Sequence, residues 1–209
     1  MIENIYGDFR PALEFTLKDI EGRINNYCEK ELKSGGLELV EHISSRVKDE
    51  GSMVEKCSRR GLEPTAHSAL RELTDAVGLR IICGFIDDVY TNVKKIREFE
   101  GCEIVMEKDY IKNVKPNGYR SYHMILSVEE PWMDVDGNFP GHFFVEIQLR
   151  TIAMDSWAAL EHQLKYKKNI SNTDIIVAEL KRCADEMAST DISMQTIRDL
   201  INEGERESV

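Results

Sequence analysis

Two carboxylates in this chain sit in strand-like runs where only apolar residues would be needed. In "FFVEIQLRT" the two-residue alternation puts Glu146, Gln148 and Arg150 on one strand face and Val145, Ile147 and Leu149 on the other. A solvated face over a buried one explains such alternation equally well. Asp75, in "TDAVGLRIICG", stands at the mouth of the most apolar run, before Gly78 and Arg80. It could simply end the preceding helix and pair with Arg80. Two carboxylates from separate strands could instead share a magnesium ion, which takes a few hard oxygen ligands and leaves the rest to water and phosphate.

Cations gather near these acids in the sequence. Arg46 and Lys48 close one strand-like run, and Lys56, Arg59 and Arg60 follow at three- and four-residue spacing, so that they project from one helix face. Such a run is usually only a solvated face, but a triphosphate needs several converging donors of this kind. A second basic group lies in "DYIKNVKPNGYRSYH". Pro116, Asn117 and Gly118 supply the fixed and positive φ angles of a tight turn. Around that turn Lys112 and Lys115 could meet phosphates, Tyr119 could stack on a base, and His123 could donate to a phosphate or a ring. The other histidines, His42, His67, His142 and His162, show no H-x-H or H-E-x-x-H spacing.

The elements that must carry these residues follow from periodicity. Leu13, Leu17, Ile20, Ile24, Tyr27 and Leu32 form one stripe of a long first helix that stops at Gly35 and Gly36. "LELVEHISSRV" reads as a strand, and Ser52 with Glu55 as the capping box of a short helix ended by Gly61. "VGLRIICGFI" and "CEIVMEKDY" read as strands around a helix bearing Val89, Val93 and Ile96. "YHMILSVEE" and "HFFVEIQLR" read as a hairpin whose connection contains Asp136 and Gly137. "MDSWAALEHQLKYKK" returns to helical periodicity. One or two helices then follow a cap at Ser171 or Thr173. The fold class expected is α+β, a mixed sheet of about five strands flanked by helices, with helical extensions at both termini. Its divisions are an N-terminal helix over 1–36, a central domain over 37–170 and a helical extension over 171–209.

With 209 residues, 42% hydrophobic and 31% charged, the chain has the composition of one ordinary globular domain that needs no disulfides. The five cysteines are scattered and never spaced C-x-x-C, which points to a reducing cytoplasm. No basic leader and no run of 18 apolar residues suggest export or a membrane span. The net charge of −11 argues against a surface built for duplex DNA. Residues 1–45 carry nine acids and five bases and residues 171–209 nine acids and four bases, so acidic flanks enclose a near-neutral middle. An anionic ligand held locally fits that distribution.

In order, "SRVK", "EKCSRRG", "TDAVGLRI", "EKDYIKNVKPNGYRSYH", "VEIQLRT" and "MDSWAALEHQLKYK" resemble the synthetase domain of the RelA/SpoT family, and the chain is similar to its small alarmone synthetases. The resemblance implies a nucleotidyltransferase-like fold and transfer of the β,γ-pyrophosphate of ATP to the 3′ hydroxyl of GDP or GTP. It assigns ATP to Arg46, Lys48, Lys56, Arg59 and Arg80, magnesium to Asp75 and Glu146, and catalysis to these same two acids. Guanine stacking falls to Tyr119, with Lys112, Lys115, His123 and Gln148 on the acceptor nucleotide. It further implies a homotetramer. The hydrolase of longer members, built on a His-Asp pair, is not expected, because no histidine here precedes Asp. Two other readings fit the same residues. One is a toxin-like synthetase acting on adenine nucleotides or tRNA 3′ ends, and the other is a non-catalytic binder of single-stranded RNA.

Overall fold

The computed structural model describes residues 4–165 and 173–206. Helix α1 (Arg10–Lys33) precedes β1 (His42–Val47), α2 (Glu50–Arg60), β2 (Val77–Cys83), α3 (Ile86–Arg97), β3 (Cys102–Asp109), β4 (Tyr122–Glu130), β5 (Gly141–Thr151), α4 (Ile152–Lys165) and α5 (Thr173–Arg206). The five strands make one mixed sheet in the order β1-β2-β5-β4-β3. Only β2 and β5 run parallel; every other neighbouring pair is antiparallel. The mixed sheet with flanking helices is the architecture expected from the alternating patterns.

One sheet face is the core. Leu79 and Ile81 of β2, Met124 and Leu126 of β4, and Val145, Ile147 and Leu149 of β5 are buried there with Leu13, Ile20 and Ile24 of α1 and Val89, Val93 and Ile96 of α3. The alternation of a strand leaves residues 78, 80, 123, 146 and 148 on the opposite face. That face carries the polar residues singled out above.

Local details differ from the sequence expectations. Helix α2 is capped not by Ser52 but by Asp49, whose Oδ1 accepts from the Ser52 amide at 3.0 Å. The charged acceptor one turn earlier satisfies an orphan amide and starts the helix at Glu50, a cap worth about 1 kcal/mol. Leu32 is exposed rather than part of the α1 stripe. Its five-residue step from Tyr27 turns it well off the buried face. The final helix is single, and the expected cap at Ser171 lies outside the described residues. A wide helical turn over Ser68–Glu72 had no sequence counterpart. Its Arg71 binds the connection between β4 and β5 through Asp134 (2.6 Å) and Asp136.

Candidate active site

Register builds the site row by row. Ser44 of β1 lies beside Arg80 of β2, Arg80 beside Gln148 of β5, Gln148 beside His123 of β4, and His123 beside Lys108 of β3. The next row runs Arg46, Gly78, Glu146, Ile125. Gly78, flanked by Arg46 and Glu146, has nothing within 4 Å of where a Cβ would stand. It forms the open floor of a cleft of about 270 Å³ lined by Arg46, Lys48, Asp75, Arg80, Glu146 and Gln148.

At the β1 end of this cleft, Asp75 sits in the loop before β2. Its Oδ2 receives both Lys48 Nζ at 2.6 Å and Lys56 Nζ at 2.5 Å. Burial pushes its pKa up, but the hydrogen bonds and charges of the two lysines together outweigh that and hold it below the ordinary value. Asp75 Oδ1 is buried without a hydrogen-bond partner among the described residues. Lys48 is itself braced from the N-terminal segment, because the buried Tyr6 hydroxyl donates to the Lys48 carbonyl at 2.9 Å. The Asp75–Arg80 pair, the simpler of the two readings of that stretch, does not form. Arg80 instead reaches Asp155 of α4 at 3.3 Å, and the nearer lysines take Asp75.

At the β4 end, the loop between β3 and β4 folds into an aromatic cage. Lys115 Nζ lies over the rings of Tyr110 and Tyr119, 4.2 and 4.7 Å from their centroids. Tyr110, Tyr119 and His123 meet edge to face. The Tyr119 hydroxyl is 2.8 Å from His123 Nε2. Burial first, and then the charges of Arg150, Lys115 and Lys108, push the His123 pKa down to about 4, so the ring is neutral at pH 7. Gly118 adopts φ +90°, and α5 packs so closely that a Cβ there would stand 2.6 Å from the Ala184 methyl. Arg120 clamps the same turn to α5 through the Ala184 carbonyl (3.1 Å) and Asp185 (2.9 Å).

Glu146 joins the two ends. Its Oε2 accepts from Gln148 Nε2 at 3.2 Å, and its Oε1 lies 3.7 Å from His123 Nδ1. The structure therefore brings together Arg46, Lys48, Lys56, Asp75, Arg80, Glu146, Gln148, His123, Tyr119 and Lys115. Arg59 is exposed on α2 and Lys112 is 71% exposed over the Tyr90 ring, and neither lines the cleft. Sequence reasoning assigned no task to Arg150, Asp155 or Tyr110. Arg150 carried a signal, since it shares the polar face of β5, whereas Asp155 is an ordinary polar position of an amphipathic helix.

Chemically, a cleft lined by three cations and two carboxylates, with Lys56 adding a fourth positive charge on Asp75, suits a polyphosphate, and the aromatic turn suits a planar base. The unpartnered Asp75 Oδ1 and the Glu146 carboxylate are hard oxygen donors of the kind a divalent ion takes. Among the described residues no cluster of three or more His, Cys, Asp or Glu forms a full metal cage. A small ion completed by phosphate and water fits that donor set.

Comparison with known proteins decides the family. Residues 45–171 match the model described as the region found in RelA/SpoT proteins. Over 147 residues, 70% of this chain and 68% of the relative, the sequence is 44% identical to the GTP pyrophosphokinase YwaC of Bacillus subtilis. The chain belongs to the RelA/SpoT family. Among solved structures it is similar to small alarmone synthetase 1 of Bacillus subtilis bound to its product pppGpp, with a TM-score of 0.74, 31% identity and coverage of 93% of this chain and 94% of that one. A structure of that synthetase bound to AMPCPP gives a TM-score of 0.68 at 28% identity, covering 96% of this chain and 97% of the other. The RelA/SpoT match contains every candidate site residue from Arg46 to Gln148. Tyr6, which braces Lys48, and Ala184 and Asp185, which hold the aromatic turn, lie outside it.

Proposed function

We propose that this protein is a GTP pyrophosphokinase that moves the β,γ-pyrophosphate of ATP to the 3′ hydroxyl of GDP or GTP, yielding ppGpp or pppGpp and AMP. The observation that carries this reading is Glu146, standing between a cation-lined cleft and an aromatic turn in a chain of this family. The 3′ oxygen attacks the β-phosphorus, the bond from that phosphorus to the oxygen bridging to the α-phosphate breaks, and AMP leaves. Such a transfer asks chiefly for in-line placement and neutralised charge. Arg46, Lys48, Lys56 and Arg80 supply cations along the triphosphate, with Arg59, exposed on α2 outside the cleft, as a further proposed contact to ATP. Glu146 accepts the proton of the 3′ hydroxyl. Tyr119 stacks on guanine, and Lys115, Lys112, His123 and Gln148 hold the acceptor; a neutral His123 does so by hydrogen bonding rather than by charge.

Asp75 and Glu146 are the residues that would hold magnesium. When bound, the ion offsets phosphate charge. The family domain spans 37–170 between the two helical extensions, and the exposed apolar residues of α4 and α5 support a homotetramer. The five unpaired cysteines fit the cytoplasm. No described helix is long and apolar enough to cross a membrane. We infer synthesis without hydrolysis, a reading supported by there being no His-Asp pair in this sequence.

The test is an acceptor competition. The protein is incubated with ATP, magnesium and GMP, GDP, GTP, an adenine nucleotide or tRNA, and AMP and 3′-pyrophosphorylated products are resolved. Product on GDP or GTP is expected, and Glu146→Gln or Asp75→Asn should lower the rate at least ~100-fold. Absence of product on every guanine nucleotide overturns the reading.

A further inference from the structure

We propose that Arg150 is a positioning residue that turns both neighbours of Glu146, Gln148 and His123, so that each presents an N–H to the carboxylate. Its guanidinium is buried, with the side chain 6% exposed, and Arg150 is not itself among the residues lining the cleft. One nitrogen, Nη2, donates to Gln148 Oε1 at 2.9 Å and to the Tyr119 hydroxyl at 2.8 Å. Nη1 donates to Asp155 Oδ1 at 2.9 Å, the same oxygen that Arg80 approaches at 3.3 Å.

Polarity follows from the fact that a guanidinium only donates. Because Arg150 holds the Gln148 oxygen, the amide nitrogen must point the other way, and it meets Glu146 Oε2 at 3.2 Å. Because Arg150 donates to the Tyr119 oxygen, the phenol proton has His123 Nε2, 2.8 Å away, as its acceptor. That leaves the imidazole proton on Nδ1, which stands 3.7 Å from Glu146 Oε1. Two branches from one guanidinium nitrogen thus end at the two oxygens of Glu146. Without Arg150 the amide is free to flip its oxygen toward the carboxylate, and the imidazole is free to take its other tautomer. Asp155 links this network to Arg80, so the donor-side cation and the general base share one support.

The catalytic consequence rests on the pyrophosphokinase reading, whereas the orientation does not, and the experiment separates them. Arg150→Gln leaves Asp155 paired with Arg80, and its folding is checked by circular dichroism and thermal melting. Kinetics should show kcat lowered about 10- to 100-fold, as for other supporting-residue changes, with the KM for ATP within about threefold of the parent. In ¹⁵N-histidine-labelled protein, with the His123 signal assigned by His123→Gln, long-range ¹⁵N–¹H correlation should show the Nδ1–H tautomer in the parent and loss of that preference in R150Q. Should R150Q not fold, R150K keeps the charge but not the fork and carries the same expectations. A folded variant with kcat within about twofold of the parent, or with the His123 tautomer unchanged, overturns the proposal. A parent protein that makes no alarmone overturns the pyrophosphokinase reading instead, and the tautomer comparison then decides the role of Arg150.

Discussion

Asp75 carries two lysines on Oδ2 while Oδ1 stays buried without a partner among the described residues. A divalent ion approaching Oδ1 alone meets two ammonium charges within a few ångströms, and at short range in a partly buried cleft these are weakly screened. A triphosphate drawing Lys48 and Lys56 away would unmask the carboxylate. Lys56→Gln is therefore expected to tighten binding of Mn²⁺ alone by about tenfold and to weaken binding of an ATP analogue. Mn²⁺ electron paramagnetic resonance measures the first and calorimetry the second, and unchanged Mn²⁺ affinity would show that the lysines do not mask the site. His123 makes a separate claim. Its unfolded pKa of 6.5 exceeds the folded value of about 4, so between these values the unfolded chain binds more protons. Its share of stability is complete above pH 6.5 and declines as pH falls toward 4. Urea midpoints at pH 7 and pH 5 should drop less in His123→Gln than in the parent; equal drops would remove His123 as a cause.

The strands were legible because period-two alternation of apolar residues against polar ones runs along β2, β4 and β5, with Leu79, Ile81, Met124, Leu126, Val145, Ile147 and Leu149 on the core face. That same alternation placed Glu146 and Gln148 on one face. What local pattern could not carry was partner choice. Asp75 and Arg80 are close in sequence, yet Arg80 turns to Asp155, which local periodicity marks only as an exposed helix position. The Pro116-Asn117-Gly118 turn was readable as a turn, but its docking onto α5, some 65 residues later, left no local trace. That docking is the element-scale test. Gly118→Ala imposes a side chain at φ +90° and drives it into Ala184, 2.6 Å away. The strain and overpacking should cost about 1–3 kcal/mol, seen as a lower denaturation midpoint. Because Lys115 and Tyr119 flank the turn, the KM for GDP or GTP should rise several-fold while that for ATP changes little. An equal rise in both would mean that α5 supports the whole sheet end rather than the turn.

Among the described residues, helix α5 docks on the domain through one side. Ala184, Asp191 and Arg198 face inward, where Asp191 binds Thr151 at 2.6 Å and Arg198 binds Asp88 at 2.7 Å. On its outer side Met194, Ile197 and Ile201 recur at three- and four-residue steps with Leu200 beside them, each at least 49% exposed. An apolar stripe of this kind, on a chain of net charge −11, is left in water only at a cost that burial against another surface removes. A second copy is the partner proposed, because closed symmetric assembly is the common outcome for a self-complementary stripe. Light scattering coupled to size exclusion should therefore report a mass above the 24.0 kDa of one chain, a tetramer on the reading proposed. Ile197→Glu with Ile201→Glu should lower that mass while leaving helicity intact, since neither residue is among those that dock α5 onto its own domain. Loss of helicity together with mass would place the stripe in folding rather than assembly. An unchanged mass would put the assembly surface elsewhere, with exposed Ile152, Leu160 and Leu164 of α4 as the next residues to charge.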